Sequence, residues 1–255
     1  MEIENSPILA AEQSNGAAYS ALMAKMKLAV KPSNEKIYFS VDCVIFGLSP
    51  QGLQVLLIKH GYEPAKGKWA LPGGLLEIAE TIEEATGRIL KVLTGVSDVY
   101  TEQFFTFSDL YRYPGLRIIT TGVYAMVSPE LYQLEPSWYA SEAQWFPVSE
   151  LPEMAFDHNK IFSRAFSQLQ HDVRIKPIGF HLLPEKFTLS QLQFLFESVL
   201  QVKMDRRNFR RKILSLEILS LLEEKQEGVH APAHLYTFDE KKVAKASKEG
   251  YSFRI

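Results

Sequence analysis

The segment GGLLEIAETIEEATGRILKVLTGV at residues 73–96 constrains the fold of this chain more than any other. Its charges and glycines describe a single loop-to-helix unit. Gly73 and Gly74 follow Leu71-Pro72 and permit a tight backbone there. Residues 81–93 read as a helix on which Ile89, Val92 and Leu93 fall at i, i+3 and i+4 and share one face. Gly95 suits the helix C-terminus, where φ is often positive. Glu80 and Arg88 are placed for a charge-assisted hydrogen bond tying the loop to the helix. Glu77, Glu83 and Glu84 lie in the loop or first turn, where carboxylates favour the positive end of the helix dipole. An ordinary amphipathic helix would carry a similar stripe, so the flanking segments have to decide.

With 255 residues the chain can hold one large domain or two smaller ones around a proper core. Its net charge of -2 gives no general attraction for nucleic acid, so any such affinity must be local. The single cysteine, Cys43, excludes an intramolecular disulfide framework and fits a reducing cytosol. No apolar run is long enough to span a bilayer, and the N-terminus lacks the pattern of a signal peptide. A cytoplasmic protein without membrane attachment is expected.

Along the chain, residues 1–35 are small and polar and read as a flexible tail, with AAYSALMAKMKLAV as a short helix. From Ile37, IYFSVDCVIFGL, a turn at Ser49-Pro50-Gln51-Gly52 and LQVLLIK describe a hairpin of two buried strands. Strand-like segments follow at 99–107 and 117–127, on either side of the turn-rich DLYRYPG. Asp157 is placed to cap a helix over about 158–170. Strands with helices on a central sheet predict an α/β domain over 36–172.

Residues 173–255 read as a second domain. Thr188 or Ser190 can cap a helix with an apolar stripe at Leu192, Leu195, Phe196 and Val199. The turn QVK leads to a basic helix that Asp205 can cap. A strand, the turn EKQEG and the strand HLYTF complete the order of a winged helix-turn-helix. From Lys203 to Ile255 there are 12 Lys/Arg and 8 Asp/Glu, so this part is positive while the remainder is negative. In DRRNFRRKIL, burial of Phe209, Ile213 and Leu216 turns Arg207, Asn208 and Arg211 outward, with Arg210 and Lys212 on the flanks. Arg206 lies nearer the apolar face, within reach of a phosphate from the side. Arg and Asn read guanine and adenine edges, and Arg and Lys neutralise phosphates, so this set predicts contact with double-stranded DNA. The hairpin tip between Gln226 and His234 would lie along the backbone or minor groove. A solvated basic helix is the plain alternative. His230 and His234 have metal-pair spacing, but Pro232 between them argues against a helix.

Gly74, Glu80, Arg88 and Gly95 match the box Gly-x5-Glu-x7-Arg-Glu-U-x-Glu-Glu-x-Gly-U, U being aliphatic, and the chain over about 36–255 resembles the Nudix-related transcriptional regulators. FDHNKIFSRAF, PIGFHLLPEKFTLSQLQ and DRRNFRRKIL carry the rest of that resemblance, to the NrtR group and its AraR-like sugar-responsive relatives. It implies a Nudix α/β/α sandwich followed by a winged helix-turn-helix, acting as a homodimeric repressor on a palindromic operator. It also implies that the Nudix half senses a small effector, either ADP-ribose or a pentose such as L-arabinose. Hydrolysis in the family needs Mg²⁺ on carboxylates. Here Ile89, Val92 and Leu93 stand at the three glutamate positions, so no catalytic residue, metal or cofactor is expected. Candidate effector contacts are Lys59, Lys68, Trp69, Arg88, Arg112 and Arg117. The rivals are an active pyrophosphatase with unconventional ligands such as Glu77, Glu80 or Glu84, and a module whose basic helix binds an acidic protein.

Overall fold

Alternating burial in the first strand organises the molecule. In β1 (Ile37–Ser49), Val41, Cys43 and Ile45 face one side of the sheet while Val44 and Phe46 face the other, and all are buried. A strand covered on both faces reads as a near-continuous apolar run, which is what VDCVIF is. The computed structural model describes residues 36–97, 99–134, 140–226, 232–239 and 241–243. The segments read above as a tail, as an early helix and as the hairpin tip lie outside those residues, except for the strand ends that flank the tip.

β1 turns directly into β2 (Gly52–His60), and the two pair antiparallel from Ser49 with Gly52. The sheet order is β3 (Trp69–Ala70), β2, β1, β6 (Arg117–Val127), β5 (Tyr100–Phe107). β4 (Gly73–Leu75) pairs with β1 and β7 (Ala140–Pro147) with β2. Among the strands of the described residues only β1 and β6 pair parallel, with Ile37 opposite Arg117 and Gly47 opposite Val127. The sequence pattern does not mark the short strands β3 and β4.

α1 (Ile82–Thr94) covers one face, packing Ala85, Ile89, Leu90 and Leu93 on Val41, Cys43, Ile45 and Val123. α2 (His158–Ile175) covers the other with Ile161, Phe162, Ala165 and Leu169 on Phe46, Val55 and Tyr124. The result is the expected α/β/α sandwich. Val92 departs from the one-face expectation: it is 47% exposed while Ile89 and Leu93 are buried. At 100° per residue it is displaced to the edge of the stripe, where the sheet no longer covers it.

The second core does not stop at α2. It continues through Ile178 and Leu182 to α3 (Leu189–Leu200), then to Phe209 and Ile213 of α4 (Arg206–Ser215) and to Ile218. Each fully buried Leu, Ile or Phe adds about 1.5–3 kcal/mol, so this seam joins the two halves firmly. A three-stranded sheet of β8 (Phe187–Thr188), β10 (Ala233–Phe238) and β9 (Leu219–Gln226) completes a winged helix. Thr188 makes a capping box with Gln191, and the Asp205 carboxylate accepts the Asn208 N–H. Gln201 ends α3 in the left-handed region. The expected EKQEG turn is corrected in part: Glu224, Lys225 and Gln226 still belong to β9, with Lys225 opposite His234. Residues from Ile37 onward make one compact unit.

Candidate functional site

Loop and helix in the 73–96 segment are braced as their charges predict. Arg88 Nε donates to Glu80 Oε2 at 2.9 Å, its Nη2 donates to Glu80 Oε1, and the same Nη2 reaches the Leu75 carbonyl at 3.0 Å. This bonding pulls the Glu80 carboxyl below its ordinary pKa and raises that of Arg88. Glu80 also accepts the Glu77 N–H, and Glu84 closes a capping box with Thr81. Gly95 takes φ 78 and donates its N–H to the Lys91 carbonyl, ending α1. Gly73 is needed for closeness, since a Cβ there would run into the Asp42 carboxylate.

On the α2 side of the sheet, a buried cluster surrounds a cavity of about 170 Å³. Arg112 lies at its centre: Nε and Nη2 donate to Asp157 at 3.1 and 2.8 Å, and Nη2 also donates to Asp42 at 3.0 Å. The three side chains are nine-tenths or more buried. Two carboxylates facing one guanidinium leave the cluster short of positive charge. His158 Nδ1 accepts the Leu71 N–H at 2.9 Å, so its proton sits on Nε2, 3.9 Å from Asp42 Oδ1. Burial lowers the pKa of His158 despite the nearby carboxylates, and lowers that of His60 with help from His158. Both rings are therefore neutral near pH 7. Tyr113 stacks on Phe156 at 4.6 Å, and that pair forms an aromatic wall. The Ser40 and Thr120 hydroxyls hydrogen-bond across β1 and β6.

The structure separates the six candidate effector residues. Only Arg112 lines this cavity, and it also borders an outer cleft with Lys68, Lys160 and Tyr111. Lys59 pairs with Glu142 at 2.9 Å and lies over the Trp69 ring, which packs on Phe146. Arg117 donates to the carbonyls of Ser108 and Asp109, holding the loop that carries Arg112. Arg88 serves the brace. Arg112, on a loop where solvation is the ordinary outcome, is buried. Asp157 occupies the N-cap position of α2 but makes no cap hydrogen bond, because both its oxygens go to Arg112. Asp42, His60, Tyr113 and Phe156 escaped the sequence reading. Asp42 inside an apolar strand was the one visible signal, as a charge there needs a partner.

α2 connects this cavity to a second polar cluster. Near its C-terminal end, Asp172 accepts the Tyr124 hydroxyl at 2.8 Å and Gln168 Nε2 at 3.0 Å. Glu102 accepts Tyr100 at 2.6 Å and binds Lys176. Burial opposes ionisation of Glu102, yet bonds from Lys176, Tyr100 and Tyr124 outweigh it and lower its pKa. The Tyr100 ring stacks on His181 at 4.4 Å, just before α3.

On α4, Phe209 and Ile213 are buried and Arg206, Arg207, Asn208, Arg210, Arg211 and Lys212 are all exposed. Arg211 Nη2 donates to Asn208 Oδ1 at 2.9 Å, so these two act as a pair. Arg206 and Arg210 instead line a crevice with His234 and Tyr236 of β10.

At the box positions Ile89 and Leu93 belong to the core under α1, and no group of three potential metal ligands occurs among the described residues. Glu80 and Glu84 are committed to the brace and the cap, and Glu83 accepts from Gln103. Glu80, Glu83 and Glu84 therefore do not offer the several free oxygens in octahedral array that a Mg²⁺ site needs. No helix among the described residues is long and apolar enough to cross a membrane.

Residues 39–166 match the family model of the NUDIX domain, and residues 179–238 that of the NrtR DNA-binding winged helix domain. The chain is 27% identical over 228 residues to a protein of Acinetobacter baylyi named ADPR responsive transcriptional repressor NtrR, covering 88% of this chain and 90% of that one. It is 33% identical over 127 residues to an ADP-ribose pyrophosphatase of Methanocaldococcus jannaschii, covering 49% of this chain and 73% of that one. The crystal structure of Shewanella oneidensis NrtR complexed with a 27mer DNA is similar at TM-score 0.71 and 28% identity, over 81% of this chain and 95% of that one.

Proposed function

The chain belongs to the Nudix family and carries an NrtR winged helix domain; from that premise we propose that it is a metabolite-responsive transcriptional repressor. Residues 36–172 sense the effector, residues 173–255 bind DNA, and the protein works in the cytoplasm as a homodimer on a palindromic operator. The observation that carries this reading is the exposed row of cations on α4, set on a winged-helix frame. The names of the A. baylyi and S. oneidensis relatives support it. The Nudix half no longer hydrolyses, because hydrocarbon replaces the late box glutamates and Glu80 and Glu84 are engaged in the brace and the cap.

We place the effector in the cavity beside Arg112. Its volume of about 170 Å³ lies below the roughly 300–1,000 Å³ of clefts that take drug-sized ligands. Asp42 and His158 supply acceptors and donors, Arg112 supplies donors, and Tyr113 with Phe156 offers an apolar wall. Two carboxylates to one cation disfavour a diphosphate and suit a neutral polyol, so a pentose such as L-arabinose is the first choice. ADP-ribose is the second, favoured by the name of the A. baylyi relative. A ligand changes DNA affinity only by binding two arrangements unequally. α2 gives it a route, because it begins at Asp157 and His158 and ends in the Asp172 cluster beside the winged helix.

A gel shift with DNA from upstream of the protein's own gene tests the reading, repeated with pentoses, ADP-ribose and NAD. We expect a shift that a pentose releases. Release by ADP-ribose alone selects the second ligand, and absence of any shift at low salt refutes the repressor. Mg²⁺-dependent formation of AMP from ADP-ribose would restore the enzyme.

A further inference from the structure

The two faces of α4 differ, and on that difference we infer that the crevice between α3, α4 and β10 seats one phosphate of the DNA backbone. The inference rests on the DNA-binding reading above. The crevice holds about 240 Å³ and is lined by Arg206 and Arg210 together with Ser190, His234 and Tyr236. Arg206 and Arg210 are one helical turn apart, so their side chains rise on the same side of α4. Neither guanidinium makes an ion pair among the described residues. The nearest carboxylate in sequence, Asp205, is occupied by the Asn208 N–H. On the other face, Arg211 Nη2 already donates to Asn208 Oδ1.

The shape of each face fixes what it can bind. A base edge is flat and lies deep in a groove, so it needs side chains standing clear on a convex helix surface. A phosphodiester is a compact tetrahedral anion on the outside of the duplex and fits a concave seat. Two guanidiniums can each offer paired donors to its oxygens, while the Ser190 and Tyr236 hydroxyls and the His234 ring can add further bonds. Among the described residues no carboxylate lines the crevice to repel the anion. Leu189 and Ser190 open α3, whose first-turn amides add a weak bias of the same sign. The seat draws on two helices and a strand, so its donors converge on one point outside the reading face of α4.

The test compares the full chain with its Arg206→Ala/Arg210→Ala variant on two duplexes of equal length, one from upstream of its gene and one scrambled. Dissociation constants are measured over a salt series. With one phosphate fewer neutralised by the protein, the slope of log affinity against log salt should fall by about 0.9. Affinity for the two duplexes should fall by the same factor, leaving their ratio unchanged. Ser190→Ala and Tyr236→Phe should give smaller losses of the same kind, with an unchanged melting temperature confirming that the fold is intact. An unaltered slope, or a loss confined to the upstream duplex, overturns the seat and assigns these arginines to base reading or to solvent. If the unmodified chain binds neither duplex, the regulator reading fails and the seat fails with it.

Discussion

Arginines in this chain meet two opposite fates. Arg88 and Arg112 have bonds to carboxylates within the protein: Arg88 to Glu80, and Arg112 to Asp42 and Asp157. On α4, the only hydrogen bond that an exposed arginine makes to another side chain among the described residues is that of Arg211 to Asn208. A guanidinium whose donors are used inside the fold positions other groups. One whose donors face water is available to a partner, and four of them on ten residues of helix concentrate that availability. The sign of the charge is the same in both regions, and burial assigns the role.

The comparison is tested most sharply on the outward face of α4. Arg207→Ala with Arg211→Ala should abolish detectable operator binding, since each good bidentate contact is worth about 1–3 kcal/mol of discrimination. Urea unfolding should move by no more than about 0.5 kcal/mol, as for surface changes away from special features. Retained binding by this folded variant would refute α4 as the reading helix. Arg112→Met should do the reverse. It leaves Asp42 and Asp157 buried without their cation, and breaking such a cluster typically costs about 3–5 kcal/mol. A variant as stable as the parent would mean that Arg112 is not the keystone of the cavity.

A smaller effect follows from the histidines. His158 and His60 have pKa values below the usual 6.5 because they are buried, so the unfolded chain takes up protons that the folded chain refuses. Stability is then complete above that pH and declines as the pH falls below about 6.5. Melting temperatures measured across that range should fall on acidification, and His158→Gln should make the fall shallower. An identical pH profile in the variant would exclude His158 as a source of the effect.

Much of this architecture was legible in the residues themselves. The apolar run from Val41 to Phe46, the Gly95 stop and the Thr188 and Asp205 caps all rest on local rules of periodicity and hydrogen bonding. The Arg88–Glu80 brace was legible for the same reason, because the spacing of its partners already restricted them. The exposure of the α4 cations followed from the burial of Phe209 and Ile213. The cavity was much less readable. Asp42 and Arg112 are joined across 70 positions of sequence, and Arg112 and Asp157 across 45. Arg112 resembled any loop arginine, and Asp157 resembled any helix cap.

The sequence by itself determined the elements, their order and the helix that faces outward, because hydrophobic period and capping chemistry act over a few residues. It also determined that hydrocarbon stands where the box needs carboxylates. Tertiary structure decided which charges would be consumed. The parallel pairing of β1 with β6 and the packing of α2 brought Asp42, Arg112, Asp157 and His158 into one buried cluster. In that low-dielectric setting each charge must find a partner or lose its ionisation, and sequence spacing carries no record of which partner that will be.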